Sequence, residues 1–434
     1  LDVEANPGGA AAFYAPSGKT TLEVTNSTVS GNRAGYYGAI AVEGSVEVTD
    51  SHFEHNWAQS LSAYGGALTV VAATSGTSSL SITNSEFDHN KATKFGGAVL
   101  AAVPDVSITD SEFHDNEATA GGSGGRFDPE NRGGLTVQSS TFTNNEATTG
   151  NSGAILAARP ASVSDSTFTS NTAQDDGGAI DTGDYELDIT DSTFVDNSST
   201  TGNGGAIYSV NVESSIVGST FDGNMSDLAG GAAYGVREVV NSTFVDNSAD
   251  EAAAVSLFGE GTVVSSTFYN NSSTGTGYVI DGDPSIAFGI FGSIIVNDTA
   301  AQKVTTLPDM GANLVTNIDS TSWTVTEGAG NSKEVAVADL KLQPLALNTS
   351  GPTNTGATKT VALGSGSVAI DYYAAAAAEG KAILLPTVDQ RGVTRPQNTT
   401  YDVGAYEHEA PPACTTTTLG NVRFAADSAR LSTL

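Results

Sequence analysis

The sequence predicts an all-β solenoid, a parallel β-helix, and three observations predict it. Ten times up to Asn271 the chain writes a Ser, one spacer, an aromatic or Val, two spacers and an Asn. A β-branched residue stands five places before each aromatic slot, and Gly-Gly-Ala phrases recur between the copies. Internal periodicity of this kind is read first, because it sets the architecture.

The elements follow in order along one repeat. The β-branched column is Val24, Val48, Ile82, Ile108, Val137, Val163, Ile189, Ile216, Val239 and Val263. It sits in alternating stretches such as Val46-Glu47-Val48-Thr49 and Leu187-Asp188-Ile189-Thr190, which read as short strands. The aromatic slot holds Val29, Phe53, Phe87, Phe113, Phe142, Phe168, Phe194, Phe221, Phe244 and Phe268. Three places on stand Asn32, Asn56, Asn90, Asn116, Asn145, Asn171, Asn197, Asn224, Asn247 and Asn271. A Gly-rich turn and a further strand come next, as in Gly65-Gly66-Ala67-Leu68 and Gly177-Gly178-Ala179-Ile180.

Successive aromatic slots lie 24, 34, 26, 29, 26, 26, 27, 23 and 24 residues apart, without the 3.6-residue spacing of helical repeats. One repeat is thus one coil, stacked on the next at about 4.8 Å. A single coil cannot bury its apolar face alone, so stacking is what makes the fold favourable. The Phe and Val/Ile columns become interior ladders. The Asn column is expected to bond from rung to rung and to satisfy backbone groups in a dry interior. Residues 1–297 form the coils, about eleven with Ser293 to Asn297 as an imperfect last one. Residues 298–409 hold degenerate coils and a cap, and 410–434 begin a Pro/Thr linker.

Function is expected where the ladder is interrupted. An insertion from Glu117 to Arg132, with a Gly-Gly-Ser-Gly-Gly run, reads as a protruding loop. It makes Arg126, Phe127, Asp128, Glu130 and Arg132 candidate binding residues. The Ser/Thr/Ala-rich stretch 69–79 is a second such loop.

Composition removes whole classes of partner. With 17 basic against 49 acidic side chains the formal charge is −32, a surface that repels phosphate backbones and anionic membranes. Nucleic acid is excluded as a partner on this ground. The lone Cys414 rules out an intramolecular disulfide framework, and no apolar run is long enough for a membrane span.

Chemistry is sparse. Asp175-Asp176 is the only adjacent Asp pair and the sole carboxylate candidate for polysaccharide hydrolysis, which needs an acid and a base across the substrate. No Gly-His-Gly and no Arg-x-Lys accompanies it. For a lyase base only Arg159 and Arg237 stand isolated on the coils, and both read as surface residues. His55, His89 and Asp115 share one register, two after the Phe, and would line up with ligand-like chemistry, although Ser170, Asp196 and Asp246 continue that column. Asp50, Asp110, Asp165 and Asp191 share another with Asn26, Asn84 and Asn241, which suits turn residues better than a Ca²⁺ cage. No cofactor is expected; Ca²⁺ is the alternative.

The pairing of Gly-Gly-Ala-Ile with Phe-x-x-Asn over residues 8–297 resembles the repeats of polymorphic outer-membrane-type proteins and related right-handed parallel β-helix proteins of bacterial surfaces. The ordered blocks Leu342-Gln343-Pro344-Leu345-Ala346, Ser350-Gly351-Pro352-Thr353, Ser367-Val368-Ala369-Ile370-Asp371, Asp389-Gln390-Arg391-Gly392, Arg395-Pro396 and Asp402-Val403-Gly404-Ala405-Tyr406-Glu407 resemble the choice-of-anchor Q domain. Within them Asp371, Asp389, Arg391, Arg395, Asp402 and Glu407 form a set of opposite charges suited to lock the final coils and cover an open sheet edge. Val422 to Leu431 is similar to the opening of OmpA-like wall-binding domains.

These resemblances imply an extracellular protein of the bacterial cell surface, attached to the envelope by an anchor beyond residue 434. They imply a non-catalytic adhesin, spacer or fibre-like display element, with surface glycans or other cells as partners. A polysaccharide-degrading enzyme or tailspike-like depolymerase on the same scaffold is the alternative, as is a self-associating structural element.

Overall fold

The computed structural model describes residues 11–14, 21–73, 78–127, 133–211, 213–274, 277–282, 289–296, 303–305, 307–317, 332–348, 358–379, 381 and 383–409. A typical coil lays down four short strands. Around Phe168 these are Ile155–Ala157, Ala161–Ser164, Thr167–Thr169 and Thr172–Ala173. Each pairs in parallel with its counterpart in the coils before and after. Among the described residues the Phe strands build a 13-stranded sheet and the shortest strands a 10-stranded one. The other two columns belong to one 22-stranded sheet, joined where Ala233–Val240 and Val255–Val264 run unbroken through the corner. The molecule is a parallel β-helix, as the periodicity predicts.

Register follows the repeat and not the residue count. Phe87 lies opposite Phe53 although 34 residues separate them. Nine Phe rings from Phe53 to Phe268 stack 4.6–4.9 Å apart with planes within 9° of parallel. All nine are fully buried, each contributing roughly 2–3 kcal/mol of apolar burial.

The Asn column is a continuous hydrogen-bonded ladder. Asn145 Nδ2 donates to Phe113 O and to Asn171 Oδ1, both at 2.9 Å, while its backbone N–H donates to the same Oδ1 at 3.1 Å. The same Asn-to-Asn bonds link Asn32 through Asn271, with N–H and Nδ2 donating to the Oδ1 of the later coil while the second Nδ2 hydrogen reaches back to the earlier one. Beside it, each Ser Oγ accepts from the Ser N–H of the preceding coil, as Ser166 does from Ser140 at 3.1 Å.

Three corners per coil take left-handed backbone, which explains their composition. In the coil of Phe168 these are Asp165 (φ 50°), Ser170 (φ 54°) and Gly177 (φ 67°). Asp, Asn and Gly tolerate this region best. The second glycine of the turn has another reason. A Cβ on Gly178 would lie 2.0 Å from Gly205 O in the next coil, so only glycine fits.

Two expectations change. The run Gly121 to Gly125 is no loop but the ordinary corner of its coil: Gly121 bridges Phe95 and Asn151, and Gly125–Phe127 is a regular strand. Glu117–Ala118 is likewise a strand. The 69–79 stretch narrows in the same way, because Leu68–Val71 and Ser79–Thr83 are both paired strands.

The described part of the C-terminal segment lies along the flank of the stack. Thr358 Oγ1 donates to Gly218 O, Asn241 Nδ2 to Val388 O, Ala405 N to Thr267 Oγ1 and Gly404 N to Gly292 O, all within 3.0 Å. The cause is local. In the last coils the outward residues turn apolar, and Phe291, Ile294, Val296 and Leu314 bury against Leu340, Leu363, Tyr373 and Val403.

Candidate functional site

The strand after the Gly-Gly turn presents alternate residues outward, and direct stacking turns these into a line along the rod. It runs Thr69, Leu100, Arg126, Leu156, Asp181, Tyr208, Tyr234, Ser256 and Asp281. The turn ahead of it supplies a second line, Tyr37, Tyr64, Phe95, Gly121 and Asn151, which Asp176 and Asn203 continue. One flank thereby gathers half-buried aromatic faces, cations and carboxylates. The Arg126 guanidinium lies 3.7 Å over the Phe95 ring, and Tyr208 stacks on Tyr234 at 5.4 Å. Past Tyr234 a groove of about 360 Å³ opens between Asn203, Leu228, Tyr234, Glu251, Ser256 and Asp281.

At the middle of this flank lie the carboxylates of Asp176 and Asp181, the first of which acts on the second through its charge. Asp176 Oδ1 accepts from Asn203 N at 2.8 Å, and Asp181 Oδ2 from Asn151 Nδ2 at 2.6 Å. Burial, reinforced by the Asp176 charge, raises Asp181 to about 6 despite the bonds from Asn151 and Gly183. Burial and the same two acids raise Tyr208 to about 12, so its hydroxyl stays a donor.

A second cluster lies on the outer face of the Phe sheet. Residues flanking the Phe point outward, and the one before it is Thr in every coil outside this cluster, as at Thr141, Thr167 and Thr193. In three consecutive coils they are His52 and Glu54, Glu86 and Asp88, and Glu112 and His114. His52 Nε2 is 2.5 Å from Asp88 Oδ1, His89 Nδ1 is 2.8 Å from Asp88 Oδ2, and His114 Nε2 is 2.8 Å from Glu86 Oε1. Burial works against the Asp88 charge, but the His89 and His52 bonds outweigh it and lower the pKa. Burial also works against protonation of His114, where Glu86 and Asp115 prevail and raise it.

The residues singled out from sequence fall as follows. Asp175 and Asp176 bond in different directions: Asp175 Oδ1 lies 3.4 Å from Thr201 Oγ1, while Asp176 Oδ1 accepts from Asn203 and its charge acts on Asp181. His55 and His89 stack at 4.8 Å, but Asp115 turns to His114 Nδ1 at 3.0 Å, so the line of three is not one ligand set. All three occupy left-handed corners, with φ of 55°, 51° and 55°. Phe127 is buried in the core and Arg126 lies in a strand, so neither sits on a loop; Asp128, Glu130 and Arg132 lie outside the described residues. Arg159 is fully buried, donating to Pro104 O at 2.9 Å, which corrects its reading as a surface residue. Arg237 is half-buried beside Glu260.

Asp50, Asp110, Asp165 and Asp191 all take left-handed corners, with Asn84 Nδ2 donating to Asp50. In the C-terminal block, Arg391 holds Asp389 at 2.7 Å and Arg395 lies 3.5 Å from Glu407. Asp402 Oδ1 accepts from Asp371 N, while Asp371 itself is exposed and accepts from Asn398. The sequence places His52, His55, His89 and His114 close together in the chain, but the reading missed Asp181, Tyr208 and Tyr234, and the carboxylates Asp88 and Glu86 that gather those histidines. A break in the outward Thr pattern was the signal for the second; the first had none at fixed spacing.

The family model for the Chlamydia polymorphic membrane protein repeat matches residues 165–183 and 191–210, two successive copies running from one Phe corner to the next Gly-Gly turn. Among curated proteins and among solved structures, neither comparison gave a match. Among the described residues no helix is long and apolar enough to cross a membrane.

Proposed function

We propose that this chain is a non-catalytic, surface-displayed β-helix of a bacterial cell that holds an extended glycan along the flank of Arg126, Asp181, Tyr208 and Tyr234. The observation that carries the reading is the unbroken column itself. Coils rising at about 4.8 Å place aromatic and hydrogen-bonding groups at regular steps in a straight row, a spacing suited to a linear chain of sugars. Tyr208 and Tyr234 stack on each other, and Tyr234 with Asn203, Glu251 and Asp281 lines the adjoining groove. The match to a polymorphic membrane protein repeat supports the surface location. A glycan array with the whole chain is the test. Saturable binding to one class of linear glycan, weakened about tenfold or more by Y208A with Y234A, is the expected result. Binding unaffected by the double variant, or no binding, removes the proposal.

One observation favours the enzymatic reading. Asp181 is buried and raised to about 6, with the Asp176 charge acting on it, the kind of carboxyl that serves as general acid in cleavage of a glycosidic bond. New reducing ends released from a bound glycan, and lost in D181N, decide for it.

A further inference from the structure

Beyond glycan binding, we propose that Asp88, His89 and His114 form a binding site for a divalent transition ion of the Zn²⁺ type, buttressed by His52 and Glu86. One ligand atom from each of Asp88, His89 and His114 lies within 4.8 Å of the others, and the same holds for His52, Glu86 and Asp88. Closing such a set onto one ion at about 2.0–2.2 Å needs side-chain rotation only.

The backbone under the cluster is fixed. Glu86–Asp88 is paired on both sides, with Asp88 opposite Glu54 and His114. The left-handed corner at His89 turns its imidazole back over Asp88. Asp88 is buried beneath the imidazoles, where a carboxylate without a cation is costly.

The surrounding groups have the arrangement of an outer shell. Asp115 engages His114 Nδ1 at 3.0 Å, leaving Nε2 turned inward to Glu86. His52 braces the other oxygen of Asp88 at 2.5 Å. Carboxylates that orient ligating imidazoles in this way strengthen metal sites.

Beside the cluster a groove of about 520 Å³ is lined by Asp50, His52, Glu86, Asp110 and Glu112. On a chain of net charge −32 it concentrates cations at the mouth of the site. Two imidazoles with carboxylate oxygen select Zn²⁺, Co²⁺, Ni²⁺ or Cu²⁺ over Ca²⁺ and Mg²⁺, which prefer all-oxygen shells. The ion would tie the coils of Phe87 and Phe113 together from outside.

Calorimetric titration of ZnCl₂ into the whole chain tests this, with the visible spectrum of the Co²⁺ form as a second readout. One ion per chain is expected, with the absorption of nitrogen- and oxygen-ligated Co²⁺, undisturbed by millimolar Ca²⁺. D88N and, separately, H89Q with H114Q should each weaken Zn²⁺ by about tenfold or more. H408Q, a histidine far along the chain, should bind as the native protein does. Circular dichroism verifies folding of every variant, and the Co²⁺ spectrum of the native chain stands without any of them. Displacement by Ca²⁺, absence of saturable Zn²⁺ binding, or equal affinity in both folded variants overturns the proposal.

Discussion

Asn171 shows how much one side chain carries in this architecture. Its Oδ1 accepts from the N–H and Nδ2 of Asn145, and its Nδ2 donates to Asn197 Oδ1 and Phe142 O. Asn171→Leu strands two buried donors and should cost about 3 kcal/mol or more, seen as a lower urea midpoint. Asn171→Asp keeps the acceptor for Asn145 but turns a carboxylate oxygen toward acceptors on the far side. It should therefore be at least as damaging as Leu, although it is closer in shape. An Asp variant as stable as the native chain would show that the ladder is not what holds the interior. Every inward residue of this kind was legible in the sequence, because stacking forces the same choice on every coil. Outward residues face no such constraint. His52, Glu86 and Glu112 therefore surface only as exceptions to a Thr column, while Asp88, His114, Tyr208 and Tyr234 belong to columns that keep no single residue type.

Among the elements, the C-terminal clasp has its own pH behaviour. Burial and the Asp402 carboxylate push Glu407 up to about 7, with Arg395 and two amide donors pulling the other way. Burial likewise raises Asp402 to about 6. A raised acid keeps its proton in the folded state after the unfolded chain has released it. The contribution from Glu407 is thus full below its ordinary value of 4.5 and is lost as pH rises through about 7. The clasp should be weaker by about 1–3 kcal/mol at pH 8 than at pH 5. Thermal melts followed at both pH values check this, and E407Q should flatten the difference; a clasp that melts later at pH 8 contradicts it. Reading this block as an end cap from its charges was half legible. Arg391 and Asp389 do pair, but that they lie along the flank depends on apolar outward residues at Phe291, Ile294 and Val296, which look like ordinary strand positions. The Gly-Gly-Ser-Gly-Gly run misled in the opposite direction: composition alone does not distinguish a linker from a corner that needs positive φ.

The whole molecule is a rod whose Phe sheet has thirteen described rungs, so about 58 Å separate the first from the last. A charge of −32 on such a body repels itself along its length. The screening length shrinks from roughly 30 Å at 0.01 M salt to about 8 Å at 0.15 M. Raising NaCl across that range should therefore raise the melting temperature, by several degrees. A melting temperature that falls or stays level would mean that the acids are already compensated. The direction of the asparagine and strand ladders has a mechanical side as well. Their bonds lie parallel to the rod, so tension between its two ends falls on one terminal coil at a time and peels it from the stack. Each coil released, 26 residues between Phe142 and Phe168, frees about 90 Å of chain. Held at one end and pulled at the other, the protein is a tether that lengthens in steps and keeps its remaining coils intact.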